Sequence, residues 1–245
     1  MAKKAWITLL STEDYLDAVL TLSLSLKKVK SKYPLVVGLT KDLYQKDIVD
    51  ILHKFDIWIE LIDRYEYSEE VRKKWLNHSV LNTASKINLF KCDSWDKLIY
   101  IDADTYLREN LDHLMLYPDG SILYDSTDVP HYGFSGLFVF KPNNHYAEFY
   151  QELLQKTNCF DGDFLGKLWF YVKDSSAHQI PFHYNELFYR AKSPECPHPL
   201  DEIKSIHFVG ATKPWKEVSN DLMDNIFIKE YLSLLEEVKQ IKASI

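Results

Sequence analysis

Two aspartates with one residue between them follow an apolar run near the middle of the chain. Asp102 and Asp104 come directly after residues 98–101, whose sequence Leu-Ile-Tyr-Ile is typical of a buried strand. In an open α/β sheet, ligands gather beyond the carboxyl ends of the strands. Carboxylates placed there suit a hard divalent cation such as Mg²⁺ or Mn²⁺, which can bridge the phosphates of a nucleotide. The pattern therefore predicts a divalent-cation site, with a solvated turn as the alternative.

This motif carries little weight alone, because 21 aspartates among 245 residues give about two Asp-x-Asp pairs by chance, the number observed. A second group consists of His207, Gly210 and Lys213, in and just after the apolar run 205–209. A neutral imidazole can complete a Mn²⁺ site, Lys213 suits a diphosphate, and Gly210 lets backbone approach it closely. The alternatives are a hydrogen-bonded core histidine and a solvated lysine.

The spacing of apolar residues predicts the elements that must position these groups. Predicted strands cover 5–10, 35–39, 57–62, 97–101, 121–124, 137–140 and 205–209. Predicted helices cover 15–29, 45–55, 81–92, 144–156 and 222–241, and the Pro-rich part 181–199 is predicted to be irregular. This alternation predicts an α/β fold with a doubly wound, mostly parallel but mixed sheet flanked by helices.

Charge and composition exclude several classes of protein. A formal net charge of −7 argues against nucleic-acid binding, which needs a basic face. No run approaches the ~20 apolar residues of a membrane span. A soluble protein is therefore expected. Three widely spaced cysteines indicate neither a disulfide framework nor a CxxC metal site, so a cytoplasmic location is expected. The final helix carries an apolar stripe from Ile226 to Ile241 that is expected to pack on its own domain, although a homodimer is left open.

The two groups together resemble the motifs of the glycogenin-like family 8 glycosyltransferases, which are retaining enzymes with a GT-A fold. The resemblance is carried by Asp102-Ala103-Asp104-Thr105 and by the run from His207 to Trp215, in the same order and at about the same separation, and it covers roughly residues 5–215. It implies metal-dependent transfer of a hexose from a UDP-sugar to an acceptor. Residues 1–245 are expected to form one GT-A domain, with a Rossmann-like nucleotide-binding half (1–105), a sugar and acceptor half (106–220) and a terminal helix (221–245).

The resemblance also implies roles for particular residues. Asp102, Asp104 and His207 would bind Mn²⁺, with Mg²⁺ as the alternative ion. Asp161, Asp163 and Lys86 would act at the reacting sugar. Residues implied to contact the donor or its metal are Leu9, Ser11, Thr12, Tyr15, Lys86, Asp102, Ala103, Asp104, Ser135, Gly136, Gly210 and Lys213. For Tyr15, packing on a helix face is an alternative to stacking on the nucleotide.

Three positions depart from the family pattern. Phe134 stands where the family usually has Asn, and Gly162 and Gly166 stand where it has Gln and Asn. The identity of the sugar is therefore not carried over, and a degenerate glycosyltransferase that binds nucleotide or glycan without turnover is an alternative. A nucleotidyltransferase is a further alternative, but the expected Gly- and Arg-rich loop after the first strand is missing. The self-glycosylated Tyr of glycogenin falls near Lys192, although Tyr184 and Tyr189 are close. An external acceptor is therefore expected, which is a glycan, a protein or a small molecule.

Overall fold

The computed structural model describes residues 2–67, 69, 82–124, 133–157 and 179–244. Its strands are β1 (Lys4–Leu10), β2 (Leu35–Thr40), β3 (Trp58–Ile62), β4 (Lys97–Ile101), β5 (Thr105–Leu107), β6 (Ile122–Tyr124), β7 (Gly133–Phe140), β8 (Gln179–Pro181), β9 (Glu186–Leu187) and β10 (Ser205–His207). Its α-helices are α1 (Leu16–Lys28), α2 (Lys46–Lys54), α3 (Asn144–Thr157), α4 (Phe188–Ala191) and α5 (Ile226–Ala243). Short 3₁₀ helices cover Glu13–Tyr15, Lys41–Leu43, Ala84–Lys91, Asp112–Leu116, Phe182–Asn185 and Asn220–Leu222.

A seven-stranded sheet in the order β3-β2-β1-β4-β7-β6-β8 forms the centre of the fold. Strands β3, β2, β1 and β4 are parallel, β7 is antiparallel to both β4 and β6, and β8 is parallel to β6. β1 and β2 are buried on both faces, which is why their sequences read as near-continuous apolar runs. The predicted α/β fold with a mixed sheet between helices is confirmed.

The two faces of this sheet are covered by different layers. Trp6 and Leu10 point into a core shared with α1, α2 and α5, whereas Ile7 and Leu9 point into a second core with α3 and the 3₁₀ helix Ala84–Lys91. Alternate residues of a strand face opposite sides, so the β1 sequence fills both cores. The described ranges contain no helix that is both long and apolar enough to cross a membrane.

A second, three-stranded sheet in the order β5-β10-β9 lies beside the first. β10 is antiparallel to β5 and parallel to β9, and the pairing places His207 opposite Thr105. The sequence analysis missed β5 and β9, because strands of two or three residues show no periodicity. This small sheet brings the end of β10 to the residues that follow β4.

Several predicted boundaries were wrong. The region 81–92 forms a 3₁₀ helix over Ala84–Lys91, where Tyr65 donates its backbone N–H to Ser85 Oγ (3.0 Å) and Asn88 Nδ2 donates to the Asp63 carbonyl (2.7 Å). The part 181–199 contains β9 and α4 and is not wholly irregular. Strand β10 ends at His207, two residues earlier than predicted.

The terminal helix packs on its own domain, as predicted, with Phe227, Tyr231 and Val238 buried. It begins at Ile226 because the Asn225 side chain, as an N-cap, accepts hydrogen bonds from the backbone N–H groups of Phe227 and Ile228. The prediction that Ile226 faces inward was wrong, since this first helical residue is exposed.

Candidate functional site

A cleft of about 1050 Å³ opens at the carboxyl ends of β1, β4 and β10. Among its lining residues are all of the predicted donor and metal residues that the structure describes. They are Leu9, Ser11, Thr12, Tyr15, Lys86, Asp102, Ala103, Asp104, Ser135, Gly136, His207, Gly210 and Lys213. Asp161 and Asp163, and the departures at Gly162 and Gly166, lie outside the described residues. The volume is at the upper end of the range of about 300–1,000 Å³ for small-molecule sites.

Backbone hydrogen bonds of two sheets fix the two aspartates. The Asp102 N–H donates to the Gly136 carbonyl (3.0 Å), which continues the pairing of β4 with β7 beyond the end of β4. The Phe208 N–H donates to the Asp104 carbonyl (2.9 Å), which continues the pairing of β5 with β10. The residue between the aspartates, Ala103, is buried. Each carboxylate is therefore carried by backbone that belongs to a sheet.

The side chains of Asp102, Asp104 and His207 converge on one point. One ligand atom from each lies within 4.8 Å of the other two. His207 Nε2 is 3.1 Å from Asp104 Oδ1 and 3.7 Å from Asp102 Oδ2. Two carboxylate oxygens and one imidazole nitrogen form a donor set that suits Mn²⁺, and less closely Mg²⁺. The residues present therefore fit a divalent cation, and we refer to these three atoms as the ligand triangle.

Lysines hold the other oxygen of each carboxylate. Lys86 Nζ lies 2.9 Å from Asp102 Oδ1, and Lys213 Nζ lies 2.5 Å from Asp104 Oδ2. Lys213 also donates to the Phe208 carbonyl (2.6 Å). In the described part of the cleft, three lysines and three aspartates balance each other in charge. A divalent cation would therefore make the cleft positive and attract a diphosphate.

The pKa values of Asp104 and His207 shift so that the charged form of each side chain is favoured. Burial by itself would raise the pKa of Asp104, but the neighbouring His207 and Lys213 outweigh it and hold that pKa below its ordinary value. Burial by itself would lower the pKa of His207, but Asp104 and Asp102 outweigh it and raise that pKa. The Asp104 carboxylate is thus stabilised as an anion, the form that coordinates a cation.

Aromatic rings border the cleft near the end of β1. Tyr15 contacts Trp215 edge to face, with 5.0 Å between the ring centroids, and Trp215 Nε1 donates to the Asp14 carbonyl (2.8 Å). Lys213 Nζ lies 5.6 Å from the centre of the Tyr15 ring and 5.5 Å from that of Trp215. Tyr15 therefore packs and lines the cleft at the same time, and its ring helps to hold the Lys213 ammonium group.

Comparisons with known proteins agree with this architecture. No family model matches the chain. Galactinol synthase 1 of Ajuga reptans is 27% identical over 93% of this chain and 78% of the relative. Glycogenin-1 of Caenorhabditis elegans is 26% identical over 86% of this chain and 51% of the relative. The chain thus spans about three quarters of the first relative and about half of the second.

A likeness to solved structures supports the fold. The galactosyltransferase LgtC, solved with donor and acceptor sugar analogs, superposes with a TM-score of 0.60 at 15% identity, over 94% of this chain and 95% of that one. The protein is a homologue of glycogenin and galactinol synthase. Its fold is that of the GT-A glycosyltransferases.

In this homologue, the departure at Phe134 changes one wall of the cleft. Phe134 lines the cleft and packs edge to face on Phe182, with 4.9 Å between centroids. The neighbouring Ser135 lies 3.5 Å from Lys86 Nζ. A Cβ on Gly136 would lie 3.0 Å from His207 Nδ1 and 3.1 Å from Asn185 Nδ2, so glycine leaves the space that the imidazole fills. This wall is apolar at Phe134, and at Gly136 the backbone packs closely against the His207 ring.

Sequence reasoning missed several residues that line the cleft. Tyr100, two residues before Asp102, was assigned only to a buried strand, although residues i and i+2 of a strand share a face. That alternation was the available signal. In the structure the Tyr100 hydroxyl donates to Asp102 Oδ1 (2.5 Å). Val209 and Ala211 lie inside the run from His207 to Trp215 but were given no role. The other lining residues showed no pattern, and they are Asp14, Asn82, Thr83, Leu123, Leu187, Tyr189 and Lys216.

Proposed function

We propose that this protein is a Mn²⁺- or Mg²⁺-dependent retaining glycosyltransferase that moves a hexose from a UDP-sugar to an external acceptor. The observation that carries the proposal is the ligand triangle of Asp102, Asp104 and His207 in a cleft that Lys213 also lines. The relationship to glycogenin and galactinol synthase supports sugar transfer as the class of reaction.

Charge on the leaving group is the main chemical problem of this reaction. Breaking the bond from the anomeric carbon to UDP leaves negative charge on the diphosphate, and a bound divalent cation would supply Lewis-acid stabilisation of it. Lys213 would add a second positive charge, because its ammonium group can donate to phosphate oxygens as well as to Asp104. Gly210, with a φ of +81°, adopts a left-handed backbone in the loop between His207 and Lys213.

The sugar would lie toward Lys86, Ser135 and Phe134 in this proposal. Lys86 is buried beside Asp102 and can donate to a hydroxyl of the sugar from a fixed position. Asp161 and Asp163 stay predicted partners of the sugar, because they lie outside the described residues. The proposal assigns no covalent nucleophile, and retention of configuration is taken from the resemblance to the family.

The decisive experiment measures UDP release from UDP-glucose, UDP-galactose and UDP-N-acetylglucosamine, with Mn²⁺ and with EDTA. We expect Mn²⁺-dependent release from at least one donor and its loss in His207→Ala. His53→Ala is the matched control, since His53 is an exposed residue of α2 that does not line the cleft. Release that persists in EDTA and in His207→Ala would contradict the proposal. UDP binding without release from any donor would favour a binding module that lacks turnover.

A further inference from the structure

The two oxygens of Asp102 have different surroundings. Oδ1 accepts a hydrogen bond from the Tyr100 hydroxyl (2.5 Å) and lies 2.9 Å from Lys86 Nζ. Oδ2 faces His207 Nε2 at 3.7 Å and belongs to the ligand triangle. One oxygen is therefore held by donors from the protein, and the other is directed toward the predicted cation.

Tyr100 and Lys86 differ in how firmly they hold Oδ1. The Tyr100 ring is 1% exposed and stacks on Phe138 with 4.8 Å between centroids, so its hydroxyl has a fixed position. Lys86 is also buried, but its ammonium group contacts both Asp102 Oδ1 at 2.9 Å and Ser135 Oγ at 3.5 Å, so it is not dedicated to Oδ1. The terminal torsion of an aspartate is soft, so a carboxylate without a rigid donor can rotate.

The geometry assigns to Tyr100 the role of a positioning residue for the metal site: its hydroxyl fixes Asp102 Oδ1 and thereby turns Oδ2 into the ligand triangle. This inference rests on the proposed function, because it concerns the cation of that function. Groups that orient a metal ligand typically change metal affinity or activity by about 10–100-fold when they are removed. The sequence signal for the role is the strand alternation that places residues 100 and 102 on one face, with Tyr100 inside the buried strand that precedes the aspartates.

The variant Tyr100→Phe tests the inference, because it removes the hydroxyl and keeps the ring that stacks on Phe138. Free Mn²⁺ would be titrated by electron paramagnetic resonance in the presence of UDP. We expect an affinity about tenfold or more below wild type, with unchanged UDP affinity in EDTA. Tyr150→Phe is the matched control, because Tyr150 is an equally buried tyrosine that packs on Phe90, away from the cleft.

The outcomes separate this inference from the proposed function. Wild-type Mn²⁺ affinity in Tyr100→Phe would overturn the inference and leave the proposed function standing. An equal loss of UDP affinity in EDTA would also overturn it, because a structural role would affect the whole cleft. If the wild-type protein took up no Mn²⁺ with UDP, the proposed function would fail and the inference with it. A loss of Mn²⁺ affinity confined to Tyr100→Phe supports the assigned role.

Discussion

Asp102 and Asp104 are separated by one residue, yet different sheets hold them. Asp102 extends β4 of the seven-stranded sheet and pairs through its backbone with Gly136 of β7. Its side chain is 18% exposed and is held by Tyr100 and Lys86. We call this half of the site the β4 arm.

Asp104 belongs to the three-stranded sheet through β5 and β10. Its carboxylate is held by His207 and Lys213, which are more than 100 residues away in the chain, and its side chain is 10% exposed. We call this half the β10 arm. The β10 arm is an ion-pair network closed by long-range contacts, whereas the β4 arm is an extension of a strand. The difference indicates that the carboxylate contributes more to stability in the β10 arm, where it pairs with both His207 and Lys213, than in the β4 arm, where it pairs with Lys86.

Asp104→Asn is the most direct test of the difference between the two arms. This change leaves the ammonium of Lys213 and the imidazole of His207 without their buried counter-charge, which typically costs about 3–5 kcal/mol. The pKa of Asp104 is held below its ordinary value, so at pH 7 the carboxylate is ionised and its stabilisation is fully present; that stabilisation is lost only as the pH falls through the lowered pKa. We expect the free energy of unfolding in urea with EDTA to fall by roughly 3 kcal/mol.

Asp102→Asn provides the contrast. The change removes the counter-charge of the buried Lys86, but the amide oxygen can still accept from Lys86 and from Tyr100, and Asp102 is more exposed than Asp104. We therefore expect a smaller loss than in Asp104→Asn, roughly 2 kcal/mol. Mn²⁺ binding with UDP should be lost in both variants, because each removes a carboxylate ligand. Equal losses of unfolding free energy would contradict the distinction between the arms.

In the seven-stranded sheet, β1 to β4 could be predicted from sequence, whereas β7 begins at Gly133, four residues before its predicted start; in the three-stranded sheet, β5 and β9 were missed. β1, β2, β3 and β4 are apolar runs of five to seven residues, and their predicted bounds are correct to within one residue. β5 and β9 are three and two residues long and exist because β10 pairs with them, a contact between distant parts of the chain. Local periodicity carries no information about such pairing.

The candidate site also divides into residues that the sequence located and residues whose role depends on contacts in the folded chain. The resemblance to a family located Asp102, Asp104, His207 and Lys213, and the structure brings all four to one cleft, although their roles stay predictions. Tyr100 was missed because an aromatic residue in a buried strand has an adequate explanation as core. What decides its role is a hydrogen bond, which depends on the rotamers of two side chains and not on the sequence pattern.

Gly136 joins the two arms, and Gly136→Ala tests that link. Its carbonyl accepts from Asp102, and a Cβ would lie 3.0 Å from His207 Nδ1 and 3.1 Å from Asn185 Nδ2. The imidazole must then move by a few tenths of an ångström, which displaces its Nε2 from its position in the ligand triangle. We expect the affinity for Mn²⁺ in the presence of UDP to fall about tenfold, measured by electron paramagnetic resonance, with unchanged UDP affinity in EDTA.

Two results would count against this link. A Mn²⁺ titration of Gly136→Ala that overlays the wild-type curve would show that the imidazole accommodates the methyl group without leaving its position. A fall in UDP affinity in EDTA that matched the fall in Mn²⁺ affinity would show that the change deforms the whole cleft. Only a selective loss of Mn²⁺ affinity indicates that Gly136 sets the distance between the arms.

The smallest effect is expected from Glu230→Gln in α5, which tests how the terminal helix supports the β10 arm. Glu230 accepts from the Tyr106 hydroxyl (2.6 Å) and from Arg108 Nε (3.0 Å), next to β5. The pair with Arg108 is partly exposed, with side chains 20% and 34% accessible, and such pairs contribute about 1 kcal/mol or less. A glutamine can still accept from Tyr106, so the loss in unfolding free energy should stay below about 1 kcal/mol.

Apolar packing of α5 should therefore support the arm without this ion pair. Tyr231 is fully buried and contacts the Tyr106 ring edge to face, with 5.9 Å between centroids, and the Phe208 ring at 5.1 Å. Because Glu230→Gln leaves these contacts in place, Mn²⁺ affinity with UDP should equal that of wild type. A measurable fall in that affinity, or an unfolding loss above about 2 kcal/mol, would mean that the Glu230 charge holds β5 in register and that the β10 arm extends to the terminal helix.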